Sequence, residues 1–254
     1  MDNLRDKLTE YFSLLEQEAT PEERQGRVIW RMICFDRGLK FADYIANNLF
    51  DVNGKDVIDV ACAWGGDTLA FASKGAKAIG SDLNDHQFKK LGKFALDNGL
   101  AASFVQADCE ELPFADQSAD IILALDLIEH ISHHDKFARE VARLLKPGGV
   151  CVITTPPRLK SFLLGEPHWG MRGLTAFPFS WQPFIARKLC KKDYPYPITR
   201  QYCKAGDIIK HFTPYNLKGD VALEGASLRL ANKLKLTRSI LEKYYWKLIL
   251  IIKS

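Results

Sequence analysis

Between residues 52 and 157, short unbroken apolar runs alternate with longer segments whose apolar residues recur every third or fourth position. The runs DVIDV (56–60), AKAIGSD (76–82), ASFVQAD (102–108), ADIILAL (119–125) and VCVITTP (150–156) predict β-strands. Their lack of polar alternation predicts burial on both faces, the pattern of a parallel sheet covered by helices. The segments between them supply those helices. GDTLAFASKG ends at Gly75, and NDHQFKKLGKFALDNG has Asn84 or Asp85 as candidate cap and Gly99 as its stop. DKFAREVARLLKPGG runs into a Gly-Gly stop.

The flanks read differently. LRDKLTEYFSLLEQE and FADYIANNLF have helical spacing, with ATPEER between them as a break and a new start. Residues 1–51 therefore predict N-terminal helices packed on a core at 52–157. After TTPP the periodicity weakens. Residues 158–212 are basic, aromatic and proline-rich, which predicts an insertion or lid rather than another strand–helix unit. Residues 213–254 close with YYWKLILIIKS, far short of the ~20 apolar residues of a membrane span, and predict final sheet strands.

Composition narrows this picture little: 254 residues allow one large α/β domain with an insertion. The six cysteines form no CxxC pair and the first residues contain no apolar signal core, so a reducing cytoplasm is expected. Charge changes the picture more. From Arg158 onward there are 18 Lys+Arg against 6 Asp+Glu, a balance of +12, while the first 157 residues carry −8. A basic C-terminal third points to an anionic partner or is a solvated face. No RNA-binding module is identifiable in it, so nucleic acid is not the expected partner.

In a doubly wound sheet, ligands bind beyond the C-terminal ends of the strands. Asp59 lies in the first strand, Asp82 ends the second and Asp108 ends the third. Asp82 follows Asp59 by 23 residues, near the ~20-residue spacing at which a carboxylate meets ribose hydroxyls. Its two oxygens can accept from two vicinal hydroxyls. Asp108 is placed to accept from an adenine amino group.

With these acidic ends, the loop DVACAWGG (59–66), the AD before CEELPF, and the runs ADIILALDLIEHI and LLKPGGVCVITTP stand in a telling order. Residues 52–157 resemble the class I S-adenosylmethionine-dependent methyltransferases of the type 11-like group. The resemblance implies an α/β fold, a Rossmann-like doubly wound, mainly parallel seven-stranded sheet with N-terminal helices and an insertion after the fifth strand. It also implies S-adenosyl-L-methionine as cofactor, contacted by Asp59, Ala61, Ala63, Gly65, Asp82, Leu83, Asp108, Cys109 and Leu125. Ala61 and Ala63 depart from the family's glycines. Alanine fits where φ is negative and costs about 1 kcal/mol where φ must be positive. The loop is a working site with weakened affinity, or a cofactor-dead scaffold. Positions 61, 63 and 66 also have the GxGxxG spacing of nicotinamide-binding folds, against which stand Asp108, the KPGG turn and the terminal apolar strand.

The segment LDLIEHISHH follows the fourth strand and brings Asp126, Glu129 and His130 toward the acceptor. Methyl transfer from a sulfonium is an in-line displacement that needs a base chiefly when the acceptor is a hydroxyl. His130, with Glu129, is the candidate base; the rival reading has both only bracing the next helix, with His133 and His134 exposed at its start. The D-x-x-E-H spacing also resembles ubiquinone-pathway O-methyltransferases, where such residues bind a divalent ion, making Asp126, Glu129 and His130 candidate metal ligands. In the insertion, GEPHWG offers His168 and Trp169 for stacking on a sugar ring or planar substrate. Trp181, Phe184 and Tyr196 extend that platform or form the insertion's own small core. The stretch loosely resembles insertions of bacterial polysaccharide-pathway methyltransferases.

These readings lead to O-methylation of a sugar or lipid-linked glycan. Arg187, Lys188, Lys191 and Lys192 would face an anionic acceptor or, peripherally, the inner face of the membrane. The rivals are a quinone or other small aromatic hydroxyl as acceptor, and a non-catalytic binding protein on the same scaffold.

Overall fold

The structure is a computed structural model that describes residues 2–156, 161–162, 171–190, 205–222 and 248–253. The chain divides into two compact units, residues 1–114 with 118–123, and residues 115–117 with 124–254.

The first unit holds helices α1 (Asp2–Leu14), α2 (Pro21–Asn48), α3 (Gly66–Ser73) and α4 (Phe88–Asp97), strands β1 (Asp56–Val60), β2 (Lys77–Asp82) and β3 (Ala102–Gln106), and all but the last two residues of β4 (Ala119–Leu125). Its strands run parallel in the order β3-β2-β1-β4, with Ile58 in register with Ile79 on one side and Ile122 on the other. The expected strands at 56–60 and 119–125 are met residue for residue. Both are buried almost throughout, which is why their apolar runs are unbroken.

The N-terminal segment differs from its expectation. A break does occur at Thr20, which caps α2 in a reciprocal capping box with Glu23, and Pro21 occupies the first turn. The helix that follows is one unit of 28 residues, not a short one over FADYIANNLF. Residues 24–40 carry apolar side chains on two faces. Val28, Met32 and Phe35 are buried while Ile29, Trp30 and Ile33 are exposed, so no single-faced stripe is visible in the sequence. α4 also starts later than expected. Asn84 does not cap it; its Oδ1 accepts from His86 N at 3.0 Å in a local turn, and the helix begins at Phe88. Gly99 does lie past its end in a left-handed conformation, φ 66°.

α1, α2, α3 and α4 close over one core that includes Leu8, Phe12, Phe35, Leu69, Leu91 and Phe94. The approach of α2 to α3 is set by glycine. A Cβ on Gly38 would lie 2.7 Å from Ala70 Cβ and 2.8 Å from Asp67 Cα, and one on Gly66 would lie 3.0 Å from Cys34 Cβ. Arg37 reinforces the contact with a two-point pair to Asp67, Nε to Oδ1 at 3.1 Å and the NH2 nitrogen to Oδ2 at 2.7 Å.

The second unit contains α5 (His134–Leu144), β5 (Leu145–Thr154), α6 (Gln182–Cys190), a short helix at Gly206–Ile209, β6 (Leu217–Ala222) and β7 (Leu248–Lys253). β7 pairs antiparallel with both β5 and β6, so the terminal apolar segment is a sheet strand as its pattern predicted. KPGG does not close α5. The helix stops at Leu144, and these residues belong to the start of β5, with Gly148 at φ 76°. Lys253 Nζ satisfies the Ala142 and Leu145 carbonyls at the end of α5, each at 2.7 Å. Within 171–190, Leu174 and Ala186 form a small core with Met171 and Ile185. Trp181 and Phe184 are exposed and do not belong to it.

Two glycine-to-alanine changes on α2 test this packing. Alanine is favoured over glycine in a helix by about 0.5–1 kcal/mol, and overpacking costs about 1–3 kcal/mol. Gly38→Ala should therefore lower stability, because its Cβ meets the backbone of α3. Gly26→Ala, with nothing within 4 Å, should raise it. Urea unfolding of the two variants reads the opposite signs.

Candidate functional site

The turn from β1 into α3 winds through alternate left-handed residues: Ala61 at φ 58°, Ala63 at φ 47° and Gly65 at φ 68°. This is the conformation that glycine adopts freely and alanine does not. Hydrogen bonds hold it. Cys62 N donates to Ser81 O at 2.9 Å, Gly65 N to Cys62 O at 2.8 Å, and Ala63 N to Asp82 Oδ2 at 2.9 Å. The intervening side chains turn inward: Cys62 is buried in the core, and the Trp64 ring lies under the Arg31 guanidinium. α3 then starts from Gly65 without a side-chain cap, so its first turn presents backbone amides rather than a side chain.

Asp82 ends β2 beside this loop. Its Oδ1 accepts from Asn84 N at 2.9 Å, so each carboxylate oxygen holds one backbone amide and keeps further acceptor capacity. Leu83, next in the chain, is 67% exposed, and Gln106 Nε2 fixes its carbonyl at 2.8 Å. Asp108 is exposed, and its Oδ1 accepts from Glu110 N at 2.9 Å. Cys109 is half-buried; burial and then Asp108 push its thiol up to about 12, which keeps it neutral. The first unit thus brings Ala61, Ala63, Gly65 and Asp82 together at one turn.

Asp59 is different. It is buried behind the loop, and its Oδ2 accepts from Thr68 Oγ1 at 2.6 Å. Burial, and then the neighbouring Asp67 charge, raise its carboxyl to about 8. It braces the first turn of α3 from inside.

In the second unit, Asp126 is exposed at φ 53° and tied to Thr154: its amide donates to Thr154 O at 2.9 Å, and Thr154 Oγ1 donates to its Oδ1 at 3.0 Å. A left-handed non-glycine residue is a strained feature of the kind that collects at functional sites. Leu125 and Glu129 are buried and His130 is half-buried. His134 is buried rather than exposed. Its Nε2 lies 3.0 Å from Ile128 O, and its ring stacks on His211, whose Nδ1 meets Asp135 Oδ1 at 2.9 Å. Among the described residues no three His, Cys, Asp or Glu are grouped to hold a metal ion. Asp126, Glu129 and His130 therefore do not form the metal set that their spacing implied: the first is turned to solvent and bound to Thr154, the second is buried. His168, Trp169, Lys191, Lys192 and Tyr196 lie outside the described residues.

Residues 58–153, from β1 to β5, match the family described as a methyltransferase domain. This stretch is a methyltransferase domain. The chain is also similar to the chloroplastic tocopherol O-methyltransferase of Arabidopsis thaliana, with 32% identity over 170 residues that cover 65% of this chain and 44% of that protein. To a ubiquinone biosynthesis O-methyltransferase of Idiomarina loihiensis it is 34% identical over 126 residues, 48% of this chain and 51% of that protein. The chain thus spans about half the length of the curated relatives it matches. A solved S-adenosylmethionine-dependent methyltransferase from Mesorhizobium loti superposes with a TM-score of 0.54, covering 83% of this chain and 96% of that chain at 17% identity. That likeness shows the Rossmann-like α/β fold.

Several residues that hold the site carry little signal in the sequence. Thr68 carries no signal apart from its helical spacing behind Asp59. Thr154 was visible only as the end of a strand. Trp64 sits inside the 59–66 loop, but its partner Arg31 is 33 residues earlier on another element.

The left-handed alanines can be tested directly. Left-handed backbone costs a non-glycine residue roughly 1–2 kcal/mol, and glycine's extra chain entropy returns about 0.5–1 of it. Ala61→Gly and Ala63→Gly together should raise stability by about 1–2 kcal/mol in urea unfolding. A lowered midpoint would show that the two methyl groups contribute packing that exceeds their strain.

Proposed function

We propose that this chain transfers the methyl group of S-adenosyl-L-methionine to a hydroxyl of a small acceptor. The observation that carries the reading is the left-handed 61–65 turn, locked to the Asp82 carboxylate through the Ala63 amide. The residues fit such a cofactor. Asp82 can accept from two ribose hydroxyls, the exposed Leu83 offers an apolar face to a planar base, and Asp108 can accept from an adenine amino group. When bound, the cofactor supplies an electrophilic methyl on a sulfonium. The protein's share is to position the acceptor in line and to take its proton. We assign that proton to His130, with the buried Glu129 supporting it.

For the acceptor, the similarity to proteins named for tocopherol O-methylation and ubiquinone biosynthesis favours a quinone-type or other small aromatic hydroxyl over a sugar or glycan. The exposed face of residues 177–189 supports an acceptor met at a membrane surface. Trp181 and Phe184 are 61% and 64% exposed, while Gln182 and Ala186 on the other face of α6 are buried; Leu189, near the end of the helix, is 73% exposed. Arg187 and Lys188 occupy the same exposed side, with Lys188 Nζ 5.9 Å from the centre of the Phe184 ring. Aromatic and basic side chains on one face of a helix suit the interface of an anionic bilayer.

Two measurements check this reading. Asp82→Ala removes a charged acceptor, worth about 1.5–3 kcal/mol for each hydrogen bond it makes, so S-adenosylhomocysteine affinity measured by calorimetry should fall at least tenfold. Unchanged affinity would remove Asp82 from the site, and no binding to the unmutated protein would favour the non-catalytic scaffold. Electrostatic attraction to anionic lipid is worth roughly 1 kcal/mol per basic residue near the surface. Changing Arg187 and Lys188 to Glu, and Trp181 and Phe184 to Ser, should therefore abolish co-sedimentation with phosphatidylserine-containing vesicles at low salt while leaving S-adenosylhomocysteine binding intact. Equal sedimentation would make this face a solvated one.

A further inference from the structure

Arg31 is among the largest fully buried side chains of the protein, only 2% exposed, and it is a cation. Burying a charge is costly unless it is paired and hydrogen-bonded, and an apolar residue of similar volume would fill the space at less cost. Its partners lie on two sides. Toward α1, its guanidinium pairs with the buried Glu16 carboxylate, donates to Phe12 O at 3.4 Å and lies 5.6 Å from the Phe12 ring centre. Toward the cofactor loop, its central carbon lies 3.4 Å above the Trp64 ring. The same turn of α2 touches the loop again, since Arg31 O would be 3.1 Å from a Cβ on Gly66.

The α1–α2 corner is built onto the same residue set. Arg24 Nε donates to Glu16 O at 3.0 Å and one of its terminal nitrogens to Gln17 O at 2.9 Å. Arg27 pairs with the second Glu16 oxygen at 2.6 Å. Arg24, Arg27 and Arg31 recur at helical spacing, so one face of α2 holds the corner and Arg31 extends that grip to the loop.

We propose that Arg31 is a positioning residue for the cofactor loop: by clamping Trp64 it holds the strained 61–65 turn in its binding conformation and couples that turn to the α1–α2 corner. The proposal rests on the cofactor reading of the loop only for its effect on binding; the clamp itself is a property of the free protein. Trp64 lies between two left-handed residues, Ala63 and Gly65, so its side chain is the lever by which the surrounding protein fixes their conformation. Coupling between two regions is reciprocal. A ligand that favours the wound loop must also favour the closed corner.

Arg31→Lys keeps a cation for Glu16 but lacks the plane that covers the indole, and Trp64→Leu removes the clamp from the loop side. Amide hydrogen exchange of the ligand-free proteins should show residues 62–66 exchanging about tenfold faster in both variants, with β1 and β4 unchanged, as loss of a desolvated cation–π contact predicts. The double variant should be no worse than the single ones. S-adenosylhomocysteine should bind each variant about tenfold more weakly, and should slow exchange at residues 12–16 in the unmutated protein but not in Arg31→Lys. Loop exchange at the unmutated rate in both variants, or effects that simply add, would overturn the clamp. If the loop amides respond as expected while the unmutated protein binds no S-adenosylhomocysteine, the clamp stands and the cofactor reading falls.

Discussion

The hydrogen bond from the Ala63 amide to the Asp82 carboxylate links the end of β1 to the end of β2, and the site is arranged around it. A loop with left-handed residues at 61, 63 and 65 would unwind readily if only its own backbone held it, because two of the three are alanine. The strain is offset from outside: the parallel pairing of β1 with β2 brings Ser81 O and Asp82 Oδ2 to the loop's amides. Local strain held by surrounding packing is the usual condition of a binding turn. Gly38 and Gly66 then let α2 approach closely enough to close the layer behind the loop.

How much of this was legible depended on whether one element alone carried the signal. β1 and β4 were read to the residue because strands covered on both faces must be apolar at every position. α2 was misread because it serves two surfaces and shows no single stripe. KPGG reads as the end of a helix because a Gly-Gly pair suggests a stop, yet the chain enters β5 before reaching it. The cap at Thr20 was written in the sequence as T-P-E-E, and the break there was found.

The placement of the candidate site is legible in the sequence where it lies at strand ends and obscure where it depends on conformation. The positions of Asp82, at the end of β2, and Asp108, two residues past β3, follow from topology, and the C-terminal ends of parallel strands are where ligands commonly meet a sheet. The left-handed state of Ala61 and Ala63 cannot be read from the residues, because alanine does not favour it and nothing in their spacing fixes the sign of φ. The same limit applies to Asp59. An acidic residue at that position reads as a ligand contact, but only burial and the Thr68 bond reveal that it faces inward. Pairs such as Arg31 with Trp64 are invisible in principle to periodicity, since the two residues lie on different elements.

The uneven charge of the chain fits the proposed reaction better than it fits the fold. A sulfonium donor is cationic, and the first 157 residues, which supply the cofactor loop, carry −8. The C-terminal part carries +12 and includes the exposed aromatic and basic face of α6. Net charge says nothing about architecture, but it biases which partners approach which surface. Exposed Trp181 and Phe184 would also suit stacking on a sugar ring, but an apolar aromatic acceptor dissolved in an anionic membrane has reason to meet both the aromatic and the basic side chains. Apolar exposure and positive charge on one short segment are thus the two features on which the proposal of a lipid-soluble acceptor rests, where either alone would not motivate it.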